Sequence, residues 1–288
     1  MKKGHLRRVL LKLFLFLFVG YLVFVLALYL MQATFIFPGH ARQGWLAVRI
    51  PPSPTRELLN LKTAQGDRIA ALYGSALMPE GQPHPNPSTC PTLLYFYGNG
   101  NSVADNLDLM ERFRRMGVNV LMPDYVGYGM SGGKPSETAC YQTADAAYHY
   151  LRSERGVKPE QIVMMGWSLG GAVAIDLASR EPVGKLIALS TFTSMTDMAR
   201  GSYPYVPVSL LLRHRFDSVG KIGRVKCPIL LIHGTADRLV PYSMLARLAQ
   251  AAHAPVTQYE VEGARHNDLV AVGGEPMMQK IERFIHAP

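Results

Sequence analysis

From residue 92 onward, short runs of apolar residues alternate with longer stretches in which apolar positions recur every three or four residues. Apolar runs of four to eight residues bounded by glycine or proline predict buried strands, and the 3.6-period stretches predict helices. Strands are predicted at Thr92 to Tyr97, Val118 to Pro123, Gln161 to Gly166, Lys185 to Ser190, Pro228 to His233 and Val256 to Val261. Helices are predicted at Ser102 to Arg115, Ser136 to Arg155, Leu169 to Arg180, Pro241 to His253 and near Pro276 to His286. Nearly all-apolar strands separated by helices belong to a parallel sheet covered on both faces, so the fold class is α/β. Upstream, Glu57 to Ala76 reads as a leading hairpin around the turn Gln65-Gly66-Asp67, and five prolines make 78–91 an exposed connector.

One segment breaks this rhythm. Leu13 to Met31 carries no charge, and as a helix rising about 1.5 Å per residue it nearly crosses a hydrocarbon layer of about 30 Å. A cleaved signal peptide is the competing reading, but the run exceeds the usual apolar core of about 7 to 15 residues and no clean cleavage site follows. The chain therefore divides into a basic N-terminus (1–12), a transmembrane anchor (13–31), a juxtamembrane segment (32–56) and a catalytic domain (57–288). Lys2, Lys3, Arg7, Arg8 and Lys12 precede the span, whereas only Arg42 and Arg49 lie close behind it. The positive-inside rule then puts the N-terminus in the cytoplasm and the domain on the periplasmic or extracytoplasmic side.

Composition changes this picture little. A chain of 288 residues, 48% hydrophobic and 18% charged, accommodates one well-buried domain and excludes a disordered one. The formal charge of +9 draws heavily on the five basic residues before the span, so a nucleic-acid partner is not expected. Cys90, Cys140 and Cys227 are isolated in sequence, which argues against a zinc site and allows at most one disulfide, its pairing unread.

The chemistry concentrates in Gly166-Trp167-Ser168-Leu169-Gly170 and Gly171, between a predicted strand and a predicted helix. That context makes GxSxG a nucleophile elbow, in which small residues allow the sharp turn that lifts a serine hydroxyl above the sheet edge. A serine hydroxyl needs a base, and the base needs an orienting carboxylate. Asp237, after the strand PILLIHG, and His266, after VTQYEVEG, supply them in the order Ser, Asp, His. The rivals are His233, His214 and His253 as base, and Asp268 or Asp197 as carboxylate. Oxyanion donors are expected from the backbone amides of Leu169, directly after the nucleophile, and Asn99 in Tyr97-Gly98-Asn99-Gly100-Asn101. Asp124 and Ser131, in the glycine-rich turn over 123–133, read as structural. The excursion between Thr191 and Lys226, with its apolar stretch over 203–212, reads as a small lid over an acyl-binding cleft.

YFYGNGNS, PDYVGYGMSGGKPSE, MGWSLGGAVAIDLA, STFTSM, CPILLIHGTAD and GARHND, together with the N-terminal span, resemble the membrane-anchored α/β-hydrolase-domain-containing proteins, the branch also described as serine aminopeptidase-like hydrolases. The resemblance covers nearly the whole chain. It implies an α/β-hydrolase fold with a small lid, Ser168, Asp237 and His266 as the triad, and Asn99 and Leu169 as oxyanion donors. Tyr97 stands where relatives usually have histidine, and Val126 where arginine is common, so a differently shaped pocket mouth is expected. The expected activity is hydrolysis of an ester or thioester, with lipid-like acyl groups among the candidates, without metal or organic cofactor. A serine peptidase and a non-catalytic membrane-tethered scaffold are the alternatives; neither substrate nor oligomeric state is legible.

Overall fold

The computed structural model describes residues 3–44 and 50–288. Lys2 and Arg49, used above for orientation, and 45–49 of the juxtamembrane segment lie outside the described residues.

Helix α1 (Lys3–Ile36) runs without a break through the predicted span. Its best 18-residue window has mean hydropathy 2.7 and no buried residue, so it is long and apolar enough to cross a membrane. A short 3-10 turn, Pro38–Arg42, follows. Strands β1 (Arg56–Lys62) and β2 (Arg68–Gly74) form the leading antiparallel hairpin. Then come β3 (Thr92–Phe96), α2 (Leu107–Arg114), β4 (Asn119–Pro123), α3 (Glu137–His149), β5 (Ile162–Trp167), α4 (Leu169–Ala178) and β6 (Lys185–Leu189). Three short helices, α5 (Met195–Ser202), α6 (Val208–Leu211) and α7 (Val219–Ile222), precede β7 (Ile229–Gly234), α8 (Ser243–Ala251), β8 (Val256–Val261) and α9 (Leu269–His286).

The eight strands form one sheet in the order β1-β2-β4-β3-β5-β6-β7-β8. The β1–β2 and β2–β4 pairs are antiparallel; all pairs from β4 to β8 are parallel. Every residue of β3, β4 and β7 is buried, as strands covered by helices on both faces require. The edge strands β1 and β8 alternate between covered and exposed positions. Strand order reverses between β3 and β5, and in open α/β sheets the crevice beyond the strand ends at such a switch point is where ligands bind.

Three expectations need amendment. The predicted helix over 102–115 starts as a 3-10 turn, Val103–Asn106, with a capping box between Ser102 and Asp105. The last helix begins at Leu269, before the predicted 276; Gly274, at φ 49° and ψ −147°, breaks it into two segments, and Pro276 opens the second. The three cysteines are buried and free, so the allowed disulfide does not form.

Candidate active site

The chain leaves β5 at Trp167 and enters α4 at Leu169, leaving Ser168 alone to make the turn at φ 54°, ψ −115°. A non-glycine residue held there stores about 1–3 kcal/mol of strain and needs its surroundings to enforce it. Ser168 N–H donates to Leu189 O at 2.8 Å, and Thr191 Oγ1 donates to Ser168 O at 2.9 Å. The glycines make this crossing sterically feasible. A Cβ on Gly166 would stand 2.0 Å from Gly170 O, and one on Gly170 would stand 2.0 Å from Phe96 O. Side chains at either position would push α4 away from β5 and β3.

Asp237 follows β7 and is 5% exposed. Its Oδ1 accepts the amides of Leu239 and Val240, both at 2.9 Å. Its Oδ2 lies 2.7 Å from His266 Nδ1. The fully buried His233 places Nε2 3.0 Å from Val240 O and 3.4 Å from the same Oδ2. Burial alone would raise the Asp237 carboxyl. The hydrogen bonds from His233 and His266, with the His266 charge, outweigh it and hold the group well below the usual carboxylate range. Asp237 is therefore an anion with both oxygens engaged. No hydrogen bond joins Ser168 Oγ to His266 among the described residues; Ser168 and His266 line adjoining depressions that share Leu239.

The amides of Asn99 and Leu169 donate to no backbone carbonyl among the described residues. Leu169 is the first residue of α4, where N–H groups have no intrahelical acceptor. Gly98 passes Ser168 closely: a Cβ added there would meet Ser168 Cβ at 3.7 Å. The Asn99 carbonyl accepts from Gly39 N and Tyr128 Oη, both at 3.0 Å, while its side-chain Nδ2 donates to Ile36 O at 3.0 Å. The loop bearing one free amide is thus fastened to the end of α1.

Behind it, Asp124 is buried and accepts from Tyr97 Oη, Val103 N and Met130 N at 2.8–2.9 Å. Burial raises its carboxyl against the pull of those donors. Ser131 Oγ donates to Asp124 O at 2.7 Å and accepts Ala70 N. Both residues brace the loops. Tyr97 and Val126, the two departures from relatives, are buried and line no part of the cleft, contrary to the expectation that they shape its mouth.

Ser168 opens into a cleft of about 260 Å³ whose floor includes Asn99, Leu169, Phe192 and Val240. Helices α5 and α6 roof it, whereas Phe216 and α7 residue Ile222 belong to the core. The cover is therefore narrower than the predicted 191–226. The other wall is α1, a contribution that no sequence pattern announces.

A family model described as the alpha/beta hydrolase fold matches residues 91–210. An uncharacterized protein of Mycobacterium tuberculosis is 35% identical over 225 residues, covering 78% of this chain and 77% of that relative. Alpha/beta hydrolase domain-containing protein 17B of Xenopus laevis is 32% identical over 234 residues, covering 80% and 75%. This chain belongs to the α/β-hydrolase superfamily. Solved structures agree on the fold: an esterase of Pyrococcus furiosus (TM-score 0.65, 17% identity, covering 82% of this chain and 94% of that one) and an α/β hydrolase of Vibrio vulnificus (0.68, 20%, 87% and 91%).

For an α/β-hydrolase, the geometry separates the candidates. Asp237 and His266 are brought together, and Ser168, Asn99 and Leu169 gather at the cleft. His214 packs against Phe37 and accepts the Glu137 amide. His253 lies beside Gly223. Asp197 is occupied by Thr193 and Arg247, and Asp268 accepts the Arg265 amide. His233, a rival for the base in the sequence, is instead a second neighbour of Asp237. Among the described residues no group of three or more His, Cys, Asp or Glu could hold a metal ion.

Proposed function

We propose that this hydrolase is a serine hydrolase of carboxylic esters or thioesters with apolar acyl groups, held at a membrane by α1. Ser168 Oγ attacks the acyl carbonyl while His266 Nε2 takes its proton. The carbonyl oxygen, now an anion, is met by the amides of Asn99 and Leu169. His266 returns the proton to the leaving alcohol or thiol, and the acyl-Ser168 ester is then cleaved by a water that His266 deprotonates. Asp237 keeps the His266 proton on Nδ1 and stabilises the imidazolium.

The observation that carries this reading is the 2.7 Å Asp237–His266 contact in a depression that adjoins the cleft of a strained serine at a strand-to-helix elbow. The apolar cleft favours an acyl group, and no acidic side chain lines it among the described residues, so a peptide α-ammonium has no counter-charge there. The test compares p-nitrophenyl butyrate with aminoacyl p-nitroanilides on the detergent-solubilised protein. Ester cleavage at least a hundredfold faster in kcat/KM supports the reading; faster anilide cleavage reverses it in favour of a peptidase.

Anchoring rests on the length of α1 and on side chains such as Leu15, Phe16 and Val23, all about half exposed or more. With its basic start in the cytoplasm, the domain faces the periplasmic or extracytoplasmic side. A C-terminal reporter active only in the cytoplasm should be silent; strong signal reverses the orientation.

A further inference from the structure

A helix that serves only as a tether has no reason to dock one face on its own domain. Here Val25, Leu28, Tyr29, Gln32, Phe35 and Ile36 line the cleft, and their spacing of three and four residues puts them on one stripe. Leu22, Val23, Phe24, Leu26 and Leu30 point elsewhere and are exposed.

The stripe is fixed in rotation by polar contacts. Gln32, 6% exposed, accepts Arg213 N at 2.8 Å and donates to Tyr29 O at 2.8 Å and Leu211 O at 3.4 Å. An amide in an apolar setting is tolerable only with such partners, so one register of α1 is selected. Further along, Tyr21 Oη donates to Tyr205 O at 2.8 Å, about four turns before Ile36. The cover thus lies beside the helix at a depth within the predicted span. Its Tyr205 and Leu210 are 87% and 82% exposed, the exposure expected of side chains that meet lipid and its interface rather than water.

At its other end α1 continues into the site. Besides the Ile36 and Gly39 bonds to Asn99, Gly44 N donates to Gly129 O and Gln43 Nε2 to Ser131 O, both at 2.7 Å. Cleft wall, loop with a free amide and membrane helix are one continuous piece.

The geometry points to a second role for α1: its last three turns are a wall of the acyl-binding groove, and the acyl chain of a membrane lipid enters sideways from the bilayer between α1 and the α5–α6 cover. This rests on the serine-hydrolase reading above and specifies where its substrate comes from. Each buried methylene is worth roughly fourfold in affinity, so filling the space of two or more costs at least about tenfold.

The experiment uses the full chain in phosphatidylcholine vesicles and the ratio of labelling rates for hexadecyl and ethyl fluorophosphonate. Leu28→Trp, which fills the groove from α1, is expected to lower that ratio at least tenfold, and Leu26→Trp, on the exposed face, to leave it within twofold. An unchanged ratio in Leu28→Trp overturns the inference, and so does a raised one, which would make α1 a plug. If Leu28→Trp takes up neither probe, Leu28→Ala decides: a ratio lowered at least threefold supports the wall, and any other result overturns it. Wild type labelled by neither probe removes the serine-hydrolase reading and this inference with it, an outcome distinct from normal labelling with an insensitive ratio.

Discussion

Asp237→Asn probes the Asp237–His266 contact with the least change of shape. Asp237 Oδ1 accepts two backbone amides and Oδ2 faces His266 Nδ1. In the variant the carbonyl oxygen keeps the amides, because turning the NH₂ toward them would leave two buried donors unmet at about 1–3 kcal/mol each. The NH₂ then faces Nδ1 and donates to it, which drives the His266 proton onto Nε2. An imidazole protonated on Nε2 cannot accept the serine proton. The expected loss is about 10⁴-fold in kcat, about 5.5 kcal/mol of barrier, with KM little changed. Ester hydrolysis with active-site titration measures it. The variant should fold, because its backbone bonds survive. A kcat within tenfold of wild type would show that Asp237 does not set the tautomer and would refute the reasoning.

The same carboxylate has a pH signature. Its folded pKa is depressed, so its contribution to stability is fully present above the unfolded value of about 3.9 and is lost as pH falls toward the folded one. The Tm gap between wild type and Asp237→Asn should therefore narrow as pH falls from about 4 to about 2; a gap that widens over that acid range contradicts the assignment. Gly170→Ala, whose Cβ would meet Phe96 O at 2.0 Å, should cost about 2–3 kcal/mol and lower Tm by roughly 5–10 °C, with reduced activity as the Leu169 amide shifts. An unchanged Tm would mean that α4 has room the structure does not show. Ser190 is fully buried and its Oγ has no partner among the described residues, so Ser190→Ala should raise stability by about 1 kcal/mol in urea unfolding; destabilisation would point to a partner for that hydroxyl.

The sheet was legible because each central strand is an uninterrupted apolar run closed by a breaker, as in TLLYF and ILLIHG. Helix starts were less so. Gly273-Gly274-Glu275-Pro276 reads as a stop, and only the φ of 49° at Gly274 reveals a helix on both sides of it. The candidate site residues could be named because turn chemistry and strand ends restrict where a nucleophile, carboxylate and base can stand. The place of His233 against Asp237 was not legible, because that tie runs across a strand end and turn, a geometry without sequence periodicity. The docked face of α1 was invisible for a different reason: a membrane-spanning stretch apolar on every side has no periodic stripe that singles out one face.

Central to the account is an activated Ser168, and fluorophosphonate labelling of the detergent-solubilised full chain beside Ser168→Ala tests it most directly. Both proteins should unfold at similar temperatures. The account predicts stoichiometric labelling of wild type and none of Ser168→Ala; a folded wild type left unlabelled, or a variant labelled as fast as wild type, would contradict it.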